Sequence, residues 1–410
     1  MRYCLIGERL SHSYSAEIHK GTGLDYKLVE VPRGKLSDFL KEGYDGFNVT
    51  IPYKKEIIPL LDGVNGAAAN IGAVNTVVRK NGGYYGYNTD LEGMRYALSR
   101  KNIVLTDKNV MILGSGGTSD TANALCIAEN AKSVVKVSRS GAVNYDNCYG
   151  YKNTEVIINA TPVGMFPDIG FSPVNLSRFP NLKSVFDCVY NPFKTALILQ
   201  AEKLGVKRSD GLPMLVMQAL AAQKIWGVSS DDCDAEEILN SLYRKKLNIV
   251  LVGMPSCGKT TVGKLVAALL ARPFVDTDAE VYKATRKTPA EIIEKDGERA
   301  FRRVETETVK KVSRLNGAVI ATGGGAVMRE ENIAALKANG VIFYVKRDLS
   351  LLSVAGRPLS EENGIAKLFA QRKALYERSA SFAAENNGDV KTCADNIAGT
   401  FSHLIFNPKG

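Results

Sequence analysis

The run Asn248-Ile249-Val250-Leu251-Val252, followed by Gly253-Met254-Pro255-Ser256-Cys257-Gly258-Lys259-Thr260, decides the architecture of the chain's second half. Five residues, four of them apolar, read as a strand buried on both faces. The next eight fit G-x-x-x-x-G-K-[ST], a turn whose backbone N–H groups wrap phosphates. Lys259 offsets the phosphate charge, and Thr260 can ligate Mg²⁺. A helix pattern from Thr260 to about Leu270 completes the strand–loop–helix context that the motif requires. A second unit of this kind lies earlier: Asn109-Val110-Met111-Ile112-Leu113, then Gly114-Ser115-Gly116-Gly117, then a small-residue helix through Ala128. Two such units far apart in one chain predict two separate nucleotide-binding α/β sheets.

The boundary between them is expected near residues 228–247, where Gly227-Val228-Ser229-Ser230-Asp231-Asp232 ends one helix and Asp234 to Lys246 reads as a last amphipathic one. Residues 1–105 also alternate strand and helix patterns, which gives the first half two lobes. With 410 residues, and about 100–200 residues per domain, two to four domains are expected. Apolar residues make up 45% and charged residues 23%, enough for real cores. No apolar run is long enough to span a bilayer. The reading of Tyr3-Cys4-Leu5-Ile6-Gly7 as a first strand leads us to expect no targeting peptide and a cytoplasmic protein.

Seven scattered cysteines without a close C-x-x-C pair, and three dispersed histidines (His12, His19, His403), argue against a zinc site and a disulfide framework. The net charge of +10 comes without a basic block interleaved with aromatics. Phosphorylated cofactors and a carboxylate substrate account for it better than nucleic acid.

Beyond the phosphate loop come Phe274-Val275-Asp276-Thr277-Asp278, Phe301-Arg302-Arg303-Val304-Glu305, Thr322-Gly323-Gly324-Gly325, Gly356-Arg357-Pro358-Leu359 and Gln371-Arg372-Lys373-Ala374-Leu375-Tyr376. With these in order, the chain from about 246 to 405 resembles the shikimate kinases. The resemblance implies a P-loop domain of the nucleoside monophosphate kinase type over 246–410, using ATP and Mg²⁺. Asp276 would support the metal beside Thr260, and Asp278 would orient the substrate hydroxyl and take its proton. Arg302 and Arg372 would clamp the substrate carboxylate, since a guanidinium fork fits a carboxylate bidentately. Gly324 and Gly325 would meet the substrate ring, and Gly253, Gly258, Thr261 and Arg357 the nucleotide. The segment from Arg357 to Arg372 is shorter than is usual for the family, which leaves the lid and the adenine contacts open.

In the first half, Gly114-Ser115-Gly116-Gly117-Thr118-Ser119 has Ser119 where a full dinucleotide fingerprint has its third glycine. The next strand, Val134-Val135-Lys136-Val137, ends in Ser138-Arg139-Ser140. An arginine there, with no acid to grip a ribose 2′-hydroxyl, favours the 2′-phosphate of NADP. Further segments are Ser11-His12-Ser13-Tyr14-Ser15, Phe47-Asn48-Val49-Thr50-Ile51-Pro52-Tyr53-Lys54, Gly72-Ala73-Val74-Asn75-Thr76, Tyr87-Asn88-Thr89-Asp90, Asn159-Ala160-Thr161-Pro162-Val163-Gly164-Met165, Val189-Tyr190-Asn191-Pro192 and Asp210-Gly211-Leu212-Pro213-Met214.

Together these make residues 2–243 resemble the shikimate dehydrogenases. That implies a substrate lobe over 1–105, completed by the helices of 210–243, and a Rossmann-type NADP lobe over 106–209. Lys54 and Asp90 would be the catalytic pair. Ser13, Ser15, Thr50, Asn75, Tyr190 and Gln218 would bind substrate; Gly114, Gly116, Gly117, Ser138, Arg139, Gly211 and Met214 would bind NADP(H). Asp90 is expected at the end of a glycine-rich segment, Gly82-Gly83-Tyr84-Tyr85-Gly86, lying between strands. Asp120 departs from the family, and a carboxylate near a pyrophosphate predicts modest cofactor affinity.

The combined reading is a bifunctional enzyme: 3-dehydroshikimate is reduced to shikimate, whose 3-hydroxyl is then phosphorylated. Its partners are these small molecules, with neither nucleic acid nor membrane. The alternatives are a ligand-sensing regulator that kept both folds, and a first site using quinate with NAD.

Overall fold

A computed structural model describes residues 1–10, 13–228, 234–352 and 364–404. The chain divides into two compact units, one comprising Met1–Asn240 and the other starting at Ser241.

The first unit holds two sheets. One contains β1 (Tyr3–Gly7), β2 (Tyr26–Glu30), β3 (Gly46–Val49), β4 (Gly63–Val64), β5 (Thr76–Lys80) and β6 (Gly83–Tyr87), in the order β2-β1-β3-β5-β6-β4. β1 pairs in parallel with β2 and β3, whereas β5 runs antiparallel to both β3 and β6. β5 and β6 form a hairpin closed by Asn81-Gly82, both at positive φ (51° and 84°), the pairing that a two-residue turn between twisted strands demands. The glycine-rich segment is therefore itself a strand, and Asp90 opens the helix Asp90–Arg100 that follows it. Glycine is tolerated in this strand because neighbours leave no room: a Cβ on Gly86 would meet Leu61 and Val74 at 2.7 and 2.8 Å.

The second sheet is parallel, with β7 (Asn109–Leu113), β8 (Ser133–Val137), β9 (Val156–Asn159), β10 (Ser184–Asp187) and β11 (Lys207–Ser209) in the order β11-β10-β9-β7-β8. The order reverses between β7 and β9, and open α/β sheets bind ligands at such a switch point. The loops leaving these two strands touch there: a Cβ on Gly114 would lie 3.1 Å from the Ala160 carbonyl oxygen.

The helix Leu212–Trp226 starts with Pro213 in its first turn and stops at Gly227 (φ 72°), as helix-end chemistry predicts. At its end the indole of Trp226 stacks on Tyr3 and donates to the Val77 carbonyl at 2.9 Å. That anchors the helix on the first sheet and turns Gln218 inward.

The second unit carries one parallel sheet: β12 (Asn248–Val252), β13 (Phe274–Asp276), β14 (Val319–Ala321), β15 (Gly340–Lys346) and β16 (Phe382–Glu385), in the order β13-β14-β12-β15-β16. β12 lies at the centre and is buried at every residue, which is why it reads as an almost unbroken apolar run. Its phosphate loop leads into the helix Lys259–Leu269. The fold is that of a P-loop kinase.

Candidate active sites

Lys54 lies just beyond β3, and its carbonyl accepts from the Val74 N–H at 2.8 Å. That bond sets the lysine beside the turn carrying Asn75. Lys54 Nζ donates to Asp90 Oδ2 at 2.5 Å and reaches Thr118 Oγ1 at 3.4 Å. The two side chains are 13% and 6% exposed, so this pair is far drier than an ordinary surface ion pair. Asn75 Nδ2 donates to the other carboxylate oxygen, Asp90 Oδ1, at 2.9 Å and lies 3.3 Å from Gln218 Oε1. Asn75 Oδ1 accepts from the Thr89 backbone N–H at 2.7 Å, fixing the helix start that presents Asp90. Residues far apart in sequence thus converge on one ammonium group.

The dinucleotide loop abuts this cluster. A Cβ on Gly117 would sit 3.2 Å from both the Lys54 Cβ and the Ala73 Cβ, so a side chain at the start of the helix Gly117–Ala128 would crowd the lysine stem. Gly114 has φ 121°, another glycine conformation. Ser119 is fully buried, and its hydroxyl donates to the Gly114 carbonyl at 2.8 Å. A serine therefore ties the loop where the fingerprint has its third glycine. These residues fit a dinucleotide: a bare helix N-terminus, glycine-lined, at a topological switch point.

In the second unit, a cleft of about 680 Å³ is lined by Lys259, Thr260, Asp276, Asp278, Arg302 and Arg372 among others. Lys259 Nζ donates to the carbonyls of Gly253 (3.0 Å) and Met254 (2.8 Å). Thr260 Oγ1 donates to Asp276 Oδ2 at 2.7 Å, while Asp276 Oδ1 caps the next helix by accepting from the Asp278 N–H at 2.9 Å. A hydroxyl and a carboxylate meeting beside a phosphate loop are a hard-oxygen donor set that suits Mg²⁺. Arg302 is held by Glu305 at 2.8 Å and Glu298 at 2.9 Å. Burial works against its charge, and the two carboxylates more than offset this, raising its pKa. A Cβ on Gly323 would lie 2.8 Å from Asp278 Oδ1 and 3.0 Å from Glu305 Oε1, and one on Gly325 would strike the Arg302 guanidinium. A side chain at either glycine would push those groups out of their present positions.

Residues 255–401 match the shikimate kinase family, and residues 5–77 match the shikimate dehydrogenase substrate binding domain. The chain is 35% identical over 265 residues to the shikimate dehydrogenase (NADP(+)) of Clostridium beijerinckii, covering 60% of this chain and 98% of that one. The chain belongs to the shikimate dehydrogenase family and carries a shikimate kinase domain. Among solved structures, shikimate dehydrogenase 1 of Peptoclostridium difficile aligns with a TM-score of 0.56 at 35% identity, covering 59% of this chain and 98% of that one. The shikimate 5-dehydrogenase of Thermus thermophilus, in complex with NADP(H) and shikimate, aligns with a TM-score of 0.52 at 29% identity over 59% and 99%.

In the dehydrogenase unit the structure brings Lys54, Asp90, Asn75 and Gln218 into one cluster. A second cluster joins Ser13 to Tyr190, whose ring lies 5.3 Å from that of Tyr14. Burial pushes the Tyr190 phenol up, and the hydrogen bond with Ser13 works against that. Ser15 is buried at the start of the helix Ser15–Gly21, and Thr50 is half-buried, with its methyl against Gly7. Ser138 and the exposed Arg139 follow β8. A Cβ on Gly211 would strike the Cys188 carbonyl. Met214 packs into the core, with its carbonyl against Gly93. Asp120 is paired from two sides, by Lys55 at 2.6 Å and Lys136 at 2.7 Å, which offsets part of its charge.

In the kinase unit Gly253, Gly258, Thr261, Gly324 and Gly325 stand at the cleft or in its phosphate loop. Arg357 lies outside the described residues.

Three residues that shape the candidate sites escaped the sequence reading. Thr118 is the second partner of Lys54. Asn386 Nδ2 donates to the Cys257 carbonyl at 2.8 Å, bracing the phosphate loop from β16. Asp187 is fully buried at the end of β10. It accepts from Asn159 (2.9 Å), the Val189 N–H (3.0 Å) and Thr195 (2.6 Å), which ties together the loops carrying Thr161 and Tyr190. Burial pushes its carboxyl up to about 7 against the pull of those three donors. Its one sequence signal is an acid closing an apolar strand.

Proposed function

We propose that this chain catalyses two consecutive steps: reduction of 3-dehydroshikimate to shikimate with NADPH, and phosphorylation of the shikimate 3-hydroxyl with ATP. The observation that carries the reading is the dry Lys54–Asp90 pair set against the start of the dinucleotide helix. An ammonium has three donors. Asp90 takes one and Thr118 a second, leaving one for the substrate carbonyl oxygen. As that oxygen gains negative charge, Lys54 gives it a proton, and Asp90 keeps the ammonium charged and aimed until then. NADPH, when bound, supplies the hydride. Asn75 and Gln218 orient the ring hydroxyls; Ser13, Ser15, Thr50 and Tyr190 hold the carboxylate end. Gly114, Gly116, Gly117, Gly211 and Met214 shape the cofactor site, and Ser138 and Arg139 receive the 2′-phosphate.

In the kinase unit Asp278 orients the 3-hydroxyl and accepts its proton, while Arg302 and Arg372 hold the carboxylate over the Gly324-Gly325 turn. Lys259 leaves the Gly253 and Met254 carbonyls to meet the phosphates that Gly253, Gly258 and Thr261 cradle. Thr260 and Asp276 would hold Mg²⁺, which neutralises phosphate charge. Arg357 is assigned to the transferred phosphate. The domain division we propose is 1–105 with 210–243, 106–209, and 246–410. A cytoplasmic location fits phosphorylated cosubstrates, and no helix among the described residues is long and apolar enough to cross a membrane.

The test is one assay: supply 3-dehydroshikimate, NADPH, ATP and Mg²⁺, and follow NADPH oxidation and shikimate 3-phosphate together. Accumulation of shikimate with no phosphorylated product sinks the kinase assignment. Absence of both reactions leaves the regulator reading, and preference for quinate with NAD leaves the other alternative.

A further inference from the structure

The helix Ile365–Ser379 carries two buried residues one turn apart, Arg372 and Tyr376, which therefore share a face. Arg372 lines the substrate cleft. Tyr376 is 0% exposed, and its ring stacks on Tyr344 of β15 with centroids 5.1 Å apart. Its hydroxyl donates to the Gly324 carbonyl at 2.5 Å and lies 3.8 Å from Met254 Sδ. Gly324 belongs to the substrate turn and Met254 to the phosphate loop. The two loops also touch directly, because a Cβ on Gly324 would lie 2.7–2.9 Å from the Pro255 ring. One phenol thus spans two loops that are expected to bind different substrates.

We propose that Tyr376 is a positioning residue through which the phosphate loop and the substrate turn favour each other's occupancy. The inference rests on the kinase reading above. Phosphates seated in the loop fix Gly253 to Thr260, and with them Met254 and Pro255. Pro255 and the Tyr376 hydroxyl then hold Gly324 in the geometry that the substrate ring requires. The second substrate meets a turn already ordered, and the effect is reciprocal because coupling between two sites is reciprocal. Burial raises the phenol's pKa far above its ordinary value, so it remains a donor throughout the working range.

The experiment measures initial phosphorylation rates of the full chain, without NADP(H), with shikimate and ATP both varied. The pattern yields α, the ratio of the shikimate dissociation constant without ATP to that with ATP. Wild-type α is expected above 1. Tyr376→Phe keeps the stacked ring and removes the donor. It should lower α by about 3- to 10-fold, the worth of one buried hydrogen bond, by raising the shikimate KM at saturating ATP. Pro255→Ala, which removes the direct contact, should lower α independently, and it decides the matter if the Phe variant does not fold. A fall in kcat with α unchanged shows that Tyr376 only supports the fold, and a wild-type α of 1 overturns the inference outright. Phosphorylation with α unmoved sinks this inference alone. Absence of any phosphorylation sinks the kinase reading and takes the inference with it.

Discussion

In the dehydrogenase unit Lys54 is already bonded to Asp90, and Asn75 holds the second carboxylate oxygen. In the kinase unit Lys259 is turned back onto its own loop, and neither Glu305 Oε1 nor Arg372 Nε has a hydrogen-bond partner. The difference follows from the two chemistries. Proton delivery to a forming alkoxide requires an acid whose position is settled before the substrate arrives. Phosphoryl transfer requires charge that can be turned onto a large polyanion, and a lysine held by loop carbonyls can supply it. One lysine is anchored by a carboxylate, the other by the carbonyls of its own loop.

The largest expected effect tests the lysine–carboxylate pair. Lys54→Ala should slow NADPH-dependent reduction by about 10²–10⁴-fold and leave phosphorylation within twofold. Lys259→Ala should do the converse, with about 10²–10³-fold lost from phosphorylation as a charge aimed at the reacting phosphate disappears. Parallel loss of both activities in either variant breaks the contrast between two independent sites.

A third prediction concerns stability. Burial lowers the His19 pKa to about 4, from 6.5 in the open chain. The unfolded chain therefore binds a proton that the folded chain refuses. Stability is fully present above pH 6.5 and is lost as the pH falls from there toward 4, by up to about 3 kcal/mol. Urea midpoints of the dehydrogenase unit's transition in the full chain, measured at pH 7.5 and 4.5, should separate more in wild type than in His19→Phe. Equal separation would mean that His19 is not buried neutral.

The smallest effect concerns the cofactor. NADPH should exceed NADH by at least about tenfold in kcat/KM, or about 1.4 kcal/mol, and Arg139→Ala should erase most of that margin by weakening NADPH alone. Equal wild-type use of NADH would shift the first site toward the NAD alternative.

Legibility in the sequence follows the same division. β7 and β12 announce themselves because strands covered on both faces are almost continuously apolar, and the glycines after them admit few other conformations. Lys54 and Asp90 are readable as residues, but their contact depends on β3, β5 and β6 lying side by side. β6 hides in its sequence because its glycines answer to Asp62, Leu61 and Val74, which lie 12 to 25 residues earlier in the chain. Asp120 reads as a liability because its two lysine partners come from separate segments. Asp187 is hard to read because most of its bonds are accepted from residues elsewhere in the chain, Asn159 and Thr195.

The absent side chain at Gly117 sets a direction for how such an enzyme can diversify. The loop and the lysine stem share a close boundary, so a side chain at that position would crowd the Lys54 stem and the start of the helix together. Ser138 and Arg139 sit just past the end of β8, on a separate strand, and on the reading proposed above a change there bears on which dinucleotide is bound. On that reading, a change of cofactor runs more readily through the strand end than through the glycines.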